Sequence, residues 1–423
     1  LITSLTLGAE VITIVEEKAV ELALESNISL KKQEINESNA ILDKKSSYNV
    51  FIPRFEGVGV MQDSNTAQVV PMTNNEIPTT NFVGSVEASI FLNPGLFDGV
   101  KLLNRNADVE SLKTAKERAV VIKDTKIYFY TLLLLRSQID VTRDIIDTLE
   151  SRYNQVKKNY DSGYTDELSL LEVEVSLESA RPTLVKLEQS YSLSLQNFKY
   201  QLNIDQESEI SLVGEIGQEF KEYDFESVQK ALQTNNLDIQ LLDTNKEVLK
   251  LQLSLKKFMT FIPNLGFSYT KGTLYNDPLD SDNWDRDNFS DDTGDFKVML
   301  SMNFTPLLPN SLERVEIKKI NNGIKSLELS RKELIQGLTV QGIKMVQDIK
   351  TSITLQKSLN GTIDLAQRRL DLTYDSYNQG TKELLEVESA ENDLNSARLN
   401  LLGEQYNYLV GIFSLEEMIG ESR

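Results

Sequence analysis

The chain of 423 residues carries 44 basic and 64 acidic side chains, a formal net charge of −20, and neither cysteine nor histidine. Those absences exclude thiol nucleophiles, disulfides, imidazole acid-base chemistry, hydrolase triads and the usual zinc sites, and the negative field disfavours nucleic acid while favouring cations. Only 9 prolines and 20 glycines punctuate the chain, so long uninterrupted elements are expected, and no metal or cofactor is called for.

The numbering begins at Leu1 rather than Met, which reads as a processed or trimmed form. Two readings fit Leu1 to Ala9: the remnant of an apolar export signal ending in small residues, or an extended N-terminus. No stretch approaches the roughly 20 apolar residues of a membrane-spanning helix. A bilayer, if crossed, is therefore crossed by a closed barrel.

From about Ile14 to Asn49 the composition is polar and rich in Leu, Lys, Glu and Asn, which predicts a helix ended by Phe51-Ile52-Pro53. Arg54 to Met61 and Phe82 to Ile90 then alternate in character as strands with two unlike faces, each near the length of a tilted transmembrane strand. After Asn93-Pro94 helical period returns. Leu132, Leu135, Ile139, Thr142, Ile146, Leu149, Tyr153, Val156 and Tyr160 keep 3–4 spacing without a break, a coiled-coil seam. A helix over roughly 66 residues reaches roughly 100 Å at 1.5 Å per residue, more than any compact globular domain needs.

The chain turns at Asp161-Ser162-Gly163 and returns with Leu170, Val173, Leu177, Ala180, Leu184, Leu187 and Tyr191 at the same spacing. Pro182 is expected to kink or divide this returning helix.

The second half repeats the first. Ile146-Asp147, Arg152, Tyr160, Gly163, Ser179-Ala180-Arg181 and Tyr191 recur 217 positions later as Ile363-Asp364, Arg369, Tyr377, Gly380, Ser396-Ala397-Arg398 and Tyr408. Upstream, Ala23 to Asn27 and Phe51-Ile52-Pro53 are echoed by Ala231 to Asn235 and Phe261-Ile262-Pro263. We therefore expect a first repeat over 14–205 with a strand hairpin at about 53–92 and a helical hairpin at about 97–202. An acidic connector follows over 206–224. The second repeat covers 225–417, with its strand hairpin at about 263–304 and its helical hairpin at about 311–412. The duplication places both helical turns at one end and both strand pairs at the other.

Four strands cannot close a barrel, and open edges in lipid cost several kcal/mol per group, so subunits must share one. The competing readings are a soluble coiled-coil scaffold, which needs no detergent, and a periplasmic adaptor, which carries one helical hairpin between β-rich halves instead of two. No grouping of nucleophile, base and oxyanion donors can be assembled, so the chain is not read as an enzyme.

The order of helix, strand pair and helical hairpin, given twice with Tyr-x-x-Gly at both turns and Ser-Ala-Arg in both returning helices, resembles the TolC family of outer-membrane channels. The likeness covers nearly the whole chain and includes Asn27-Ile28 with Asn236-Leu237, and Ile52-Pro53 with Ile262-Pro263. It implies an α+β membrane protein, a homotrimer whose twelve strands form one outer-membrane barrel continued by a long helical coiled-coil barrel in the periplasm. It also implies an inner-membrane pump and a periplasmic adaptor (membrane fusion protein) as partners, and the role of exit duct in a tripartite efflux or type I secretion system.

The resemblance further implies a gate near the turns, with acidic rings inside the second hairpin. Counting from Gly380, Glu386 falls on the first ring position and Ser389 on the second, with Glu388 beside it. The family's linking positions match Tyr377, Lys382 and Ser169, with Tyr160 the counterpart of Tyr377. Ser169 replaces an acidic residue and Lys382 lacks the fork of arginine, so the family's salt bridge cannot form as such. The bland readings are a solvated helix face for Glu386 and seam packing for Tyr160 and Tyr377. Gly163, Tyr164, Thr165, Gly380 and Thr381 are expected to dock the adaptor, although turn geometry alone explains both glycines. The loop from Asp277 to Asp295 holds eight Asp and Trp284, and an exposed surface loop is the better reading than a calcium site.

Overall fold

The computed structural model describes residues 12–63, 68–69, 76–77, 80–217, 219–276, 278 and 293–421. Leu1 to Ala9 and most of the acidic loop 277–295 lie outside them. In chain order the elements are β1 (Ile12–Ile14), α1 (Glu16–Ser26), α2 (Ile28–Ser46), β2 (Arg54–Asp63), β3 (Gln68–Val69), β4 (Glu76–Ile77), β5 (Thr80–Leu92), α3 (Gly95–Asp161), α4 (Glu167–Gln201) and β6 (Ile210–Leu212). Then come α5 (Phe225–Asn235), α6 (Leu237–Phe261), β7 (Asn264–Asn276), β8 (Thr293–Ser301), α7 (Leu312–Asn378) and α8 (Leu384–Met418). Helices α3 and α7 are each 67 residues long, and α4 and α8 are each 35.

Two expectations change. The polar segments at 14–49 and 225–260 are not single helices: one residue, Asn27 or Asn236, interrupts each. Both asparagines have extended backbone, with ψ 121 and 123. Their side-chain oxygens cap the next helix, Asn27 accepting from the Leu30 N–H at 3.0 Å and Asn236 from Asp238 and Ile239 at 3.0 and 3.1 Å. The second correction concerns Pro182, which lies inside a continuous α4 and does not divide it. A proline removes one helical hydrogen bond. The seam residues Val173 and Leu177 before it, both buried, and Leu184 and Leu187 after it, both partly buried, hold the helix on either side.

The described chain falls into two compact units. One comprises Leu1–Ile35, Leu112–Gln240 and Lys332–Arg423, the other Asn36–Ser111 and Leu241–Arg331. These units cut across the repeats expected at 14–205 and 225–417.

In the first unit, β1 pairs in parallel with β6, bringing Ile12 beside Ile210 and Ile14 beside Leu212. Around this small sheet lies the main core, which includes Phe129, Leu132, Phe198, Val228, Leu409 and Leu415. The rings of Phe129 and Phe198 stand 6.4 Å apart, and Tyr130 meets Phe413 at 5.5 Å. Each such buried side chain contributes roughly 1.5–3 kcal/mol. Away from this core the α3 seam stays buried at Ile139, Thr142, Ile146, Leu149 and Val156, and it ends at the exposed Tyr160. In α7 the seam holds the buried Gln356, whose amide donates to the Glu404 carbonyl of α8 at 3.3 Å, while Ser352 donates to the same oxygen at 3.1 Å. That shared acceptor explains polar residues in a packed seam.

The second unit contains one antiparallel sheet of order β2-β5-β7-β8. The two expected hairpins are thus fused through β5 and β7, with Ile90 opposite Phe267 and Ala88 opposite Tyr269. Among the described residues, the outer edges of β2 and β8 have no strand partner. Asn93 closes the junction below β5: its amide donates to the Ile262 carbonyl at 3.2 Å and to Asn264 Oδ1 at 3.0 Å, while its oxygen accepts from the Gly95 N–H at 2.8 Å.

Candidate functional site

Cross-strand partners share a face, so the register sorts the sheet into two surfaces. One carries the rows Phe55–Ala88–Tyr269–Phe296, Ile90–Phe267–Val298 and Leu92–Leu265–Leu300. The opposite face carries Arg54–Ser89–Ser268–Lys297 and Glu56–Glu87–Thr270–Asp295, together with the apolar row Phe91–Gly266–Met299 and Val58 opposite Ser85. The apolar face is open: Phe55, Phe296 and Leu300 are 73%, 67% and 71% exposed. In water, rows of this kind would need a cover. Among the described residues no helix is long and apolar enough to cross a membrane.

Both hairpin turns of the first unit are built alike. Gly163 (φ 76) donates its N–H to the Tyr160 carbonyl at 2.9 Å, and Tyr164 donates to Asn159 at 2.8 Å. Gly380 (φ 73) donates to Tyr377 at 2.9 Å, and the Thr381 N–H to Ser376 at 3.0 Å. These are Schellman closures, and the positive φ is what glycine supplies. The turns differ at the start of the helix that each one leads into. Asp166 caps α4 by accepting the Ser169 N–H at 2.9 Å and its hydroxyl at 2.6 Å, bonds that hold the Asp166 carboxyl below the usual carboxylate range. Ser169 is therefore engaged within its own helix start. Beyond the second turn, Lys382 pairs with Glu386 one helical turn on, and both remain partly exposed. Tyr164 is 85% exposed, Thr165 is partly buried, Tyr377 is partly buried, and Ser389 is exposed.

Glu386 and Glu388 do not share a face, since two residues on a helix subtend roughly 200°. Glu388 points with Glu391, three positions on, toward α3 and α4. There Arg152 of α3 pairs with Glu391, with side chains only 10% and 16% exposed. One Arg152 nitrogen, Nη1, and one Glu388 oxygen, Oε1, are buried without a hydrogen-bond partner. Burial pushes the Glu388 carboxyl above the usual carboxylate range; Arg152 opposes the shift, while Glu172 and Glu391 add to it. Glu388 and Glu391 also line a cavity of ≈ 550 Å³ between the two hairpins.

Sequence reasoning placed Glu388 near the gate but missed Arg152 and Glu391 as its surroundings. The available signal was the recurrence of Arg152 as Arg369, a cation kept beside both seams. Arg369 pairs instead with Asp393 of its own hairpin. The geometry gathers Lys382 with Glu386, and Glu388 with Arg152, Glu172 and Glu391. It does not bring Ser169 to either group.

Among the described residues the four-stranded sheet thus keeps two outer edges without a strand partner, and each long helix of 67 residues is followed by a returning helix of 35. Residues 19–201 match the outer membrane efflux protein family. No curated protein sequence matches the chain. Among solved structures its fold is similar to that of the Campylobacter jejuni CmeC outer membrane channel, at 14% identity and TM-score 0.83 over 96% of this chain and 86% of that one. It is also similar to the outer membrane protein VceC of Vibrio cholerae, at 13% identity and TM-score 0.77 over 96% of both. The open-state MtrE outer membrane channel of Neisseria gonorrhoeae gives 12% identity and TM-score 0.79, over 96% and 89%.

Proposed function

We propose that three copies of this chain join strand edge to strand edge, β8 of one to β2 of the next, in a twelve-stranded barrel that crosses the outer membrane. The apolar face meets lipid and the Glu56–Glu87–Thr270–Asp295 row faces a wet lumen. The observation that carries this reading is the two-faced sheet with both outer edges free, because each free edge in lipid costs several kcal/mol per unpaired group. The repeats at 14–205 and 225–417 descend, in this reading, from one duplicated unit, with 206–224 as the connector between them.

The helices continue the barrel as a periplasmic tunnel, and the duct serves a tripartite efflux or type I secretion system with an inner-membrane pump and a periplasmic adaptor. The exposed turns at Gly163-Tyr164-Thr165 and Gly380-Thr381 receive the adaptor. Glu386 forms the acidic constriction, partly neutralised by Lys382. Ser169 and Ser389 contribute no charge, and Tyr160 and Tyr377 act at the seam ends. The Arg152–Glu391 contact, with Glu388 beside it, takes over the fastening of one hairpin to the other.

Planar-bilayer conductance tests this. The trimer prefers cations, is blocked by divalent ions, and loses much of that block in Glu386→Gln, since a ring of like charges binds cations. Unchanged block in that variant removes Glu386 from the constriction.

A further inference from the structure

In the second unit, a cleft of ≈ 580 Å³ opens between α2, α3 and α6. Four cations line it, Lys44, Lys101, Arg105 and Lys250, against two carboxylates, Asp108 and Glu247. Both carboxylates are already engaged. Arg105 bonds Asp108 at 2.8 Å and Glu247 at 3.0 Å. Lys101 reaches Asp98 at 3.4 Å. Lys44 and Lys250 are exposed, and neither has an ion-pair partner among the described residues. Two free ammonium groups thus stand over one cleft in a chain of net charge −20.

The position of the cleft suggests its occupant. Lys101 lies six residues into α3, about 9 Å along the helix from the end that adjoins the sheet. One turn nearer the sheet, on the same stripe, is the exposed Phe97, whose ring meets that of Phe51 at a 42° tilt with centroids 5.2 Å apart. Aromatic rings first and lysines beyond them is the order of residues that anchor a barrel at a membrane interface.

We propose that this cleft binds the phosphate of an anionic phospholipid headgroup in the leaflet adjoining the helices, with Lys44 and Lys250 as its ligands and Arg105 held in place by its two carboxylates. The proposal rests on the reading that the sheet lies in the outer membrane with its apolar face to lipid. Anionic surfaces attract each nearby lysine strongly enough to change occupancy about fivefold, so removing both changes it about 30-fold.

The test is native mass spectrometry of the detergent-solubilised protein, loaded from vesicles of phosphatidylethanolamine with either phosphatidylglycerol or phosphatidylcholine. Wild type retains phosphatidylglycerol, and Lys44→Gln with Lys250→Gln lowers that retention about 30-fold, while phosphatidylcholine is retained by neither. Inorganic phosphate at about tenfold excess leaves the lipid in place. Equal retention of the two lipids, retention unchanged in the double variant, or displacement by inorganic phosphate alone overturns the proposal. So does a change of ion selectivity in the double variant, which would put the cleft in the lumen. A chain that is monodisperse without detergent removes the membrane reading and the proposal together, whereas each of the other adverse outcomes removes the proposal alone.

Discussion

Arg152 is the side chain whose loss should be felt most sharply away from the main core. Its side chain is 10% exposed and that of its partner Glu391 16%, so Arg152→Met keeps the volume but leaves Glu391 largely desolvated with the half-buried Glu388 carboxyl beside it. Truncating one partner of a buried ion pair costs about 3–5 kcal/mol, and the residual exposure puts the expectation at the lower end, about 3 kcal/mol. Because the contact joins α3 to the start of α8, the loss is local. It should appear as faster opening of residues 384–395. Hydrogen exchange by mass spectrometry on the solubilised protein reads this directly: about 3 kcal/mol corresponds to roughly 100-fold faster exchange there. Residues 405–418, which contribute Tyr408, Leu409 and Leu415 to the main core, should be unaffected. Adding Glu391→Gln to Arg152→Met should recover part of the loss, since one uncompensated charge is removed. Equal exchange in wild type and Arg152→Met would refute the reasoning, as would acceleration spread evenly along α8.

Three further outcomes are expected. Because the folded-state pKa of Glu388 is raised, the folded protein binds this proton more readily than the unfolded chain does. Its ionisation therefore weakens the α3–α8 contact as pH rises from the ordinary carboxylate value through the raised one. Exchange at 384–395, corrected for its intrinsic pH dependence, should slow as pH falls through the raised value toward the ordinary carboxylate range in wild type and lose that dependence in Glu388→Gln. Gly420→Ala should lower the thermal midpoint more than Gly163→Ala: both residues have positive φ, but a Cβ at Gly420 would stand 2.7 Å from the Asn235 carbonyl oxygen, while at Gly163 it meets nothing. On the sheet, Val298→Lys should cost about 2–4 kcal/mol and reduce trimer recovery from membranes, whereas Ser268→Lys on the opposite face should leave recovery unchanged.

The elements that could be read from the sequence depend on local chemistry. Gly163 and Gly380 mark turns because positive φ favours glycine, and alternation across Arg54 to Met61 marks a strand because successive side chains oppose one another. The breaks at Asn27 and Asn236 were hidden because a single extended residue, capped by its own side chain, leaves the surrounding helical composition unchanged. Pro182 misled in the opposite direction, since packing on either side outweighs one missing hydrogen bond. The cluster of Arg152, Glu388 and Glu391 depends on which faces of α3 and α8 meet, and seam spacing within one helix does not reveal that. The opposite orientations of Glu386 and Glu388 come from helix geometry once α8 is known to begin at Leu384.

The central claim, a lipid-embedded barrel shared by three chains, is tested most directly by two-dimensional electron-microscope averages of the protein extracted in detergent. The account predicts end-on views with threefold symmetry around an open centre. Single chains that remain monodisperse without detergent would contradict it.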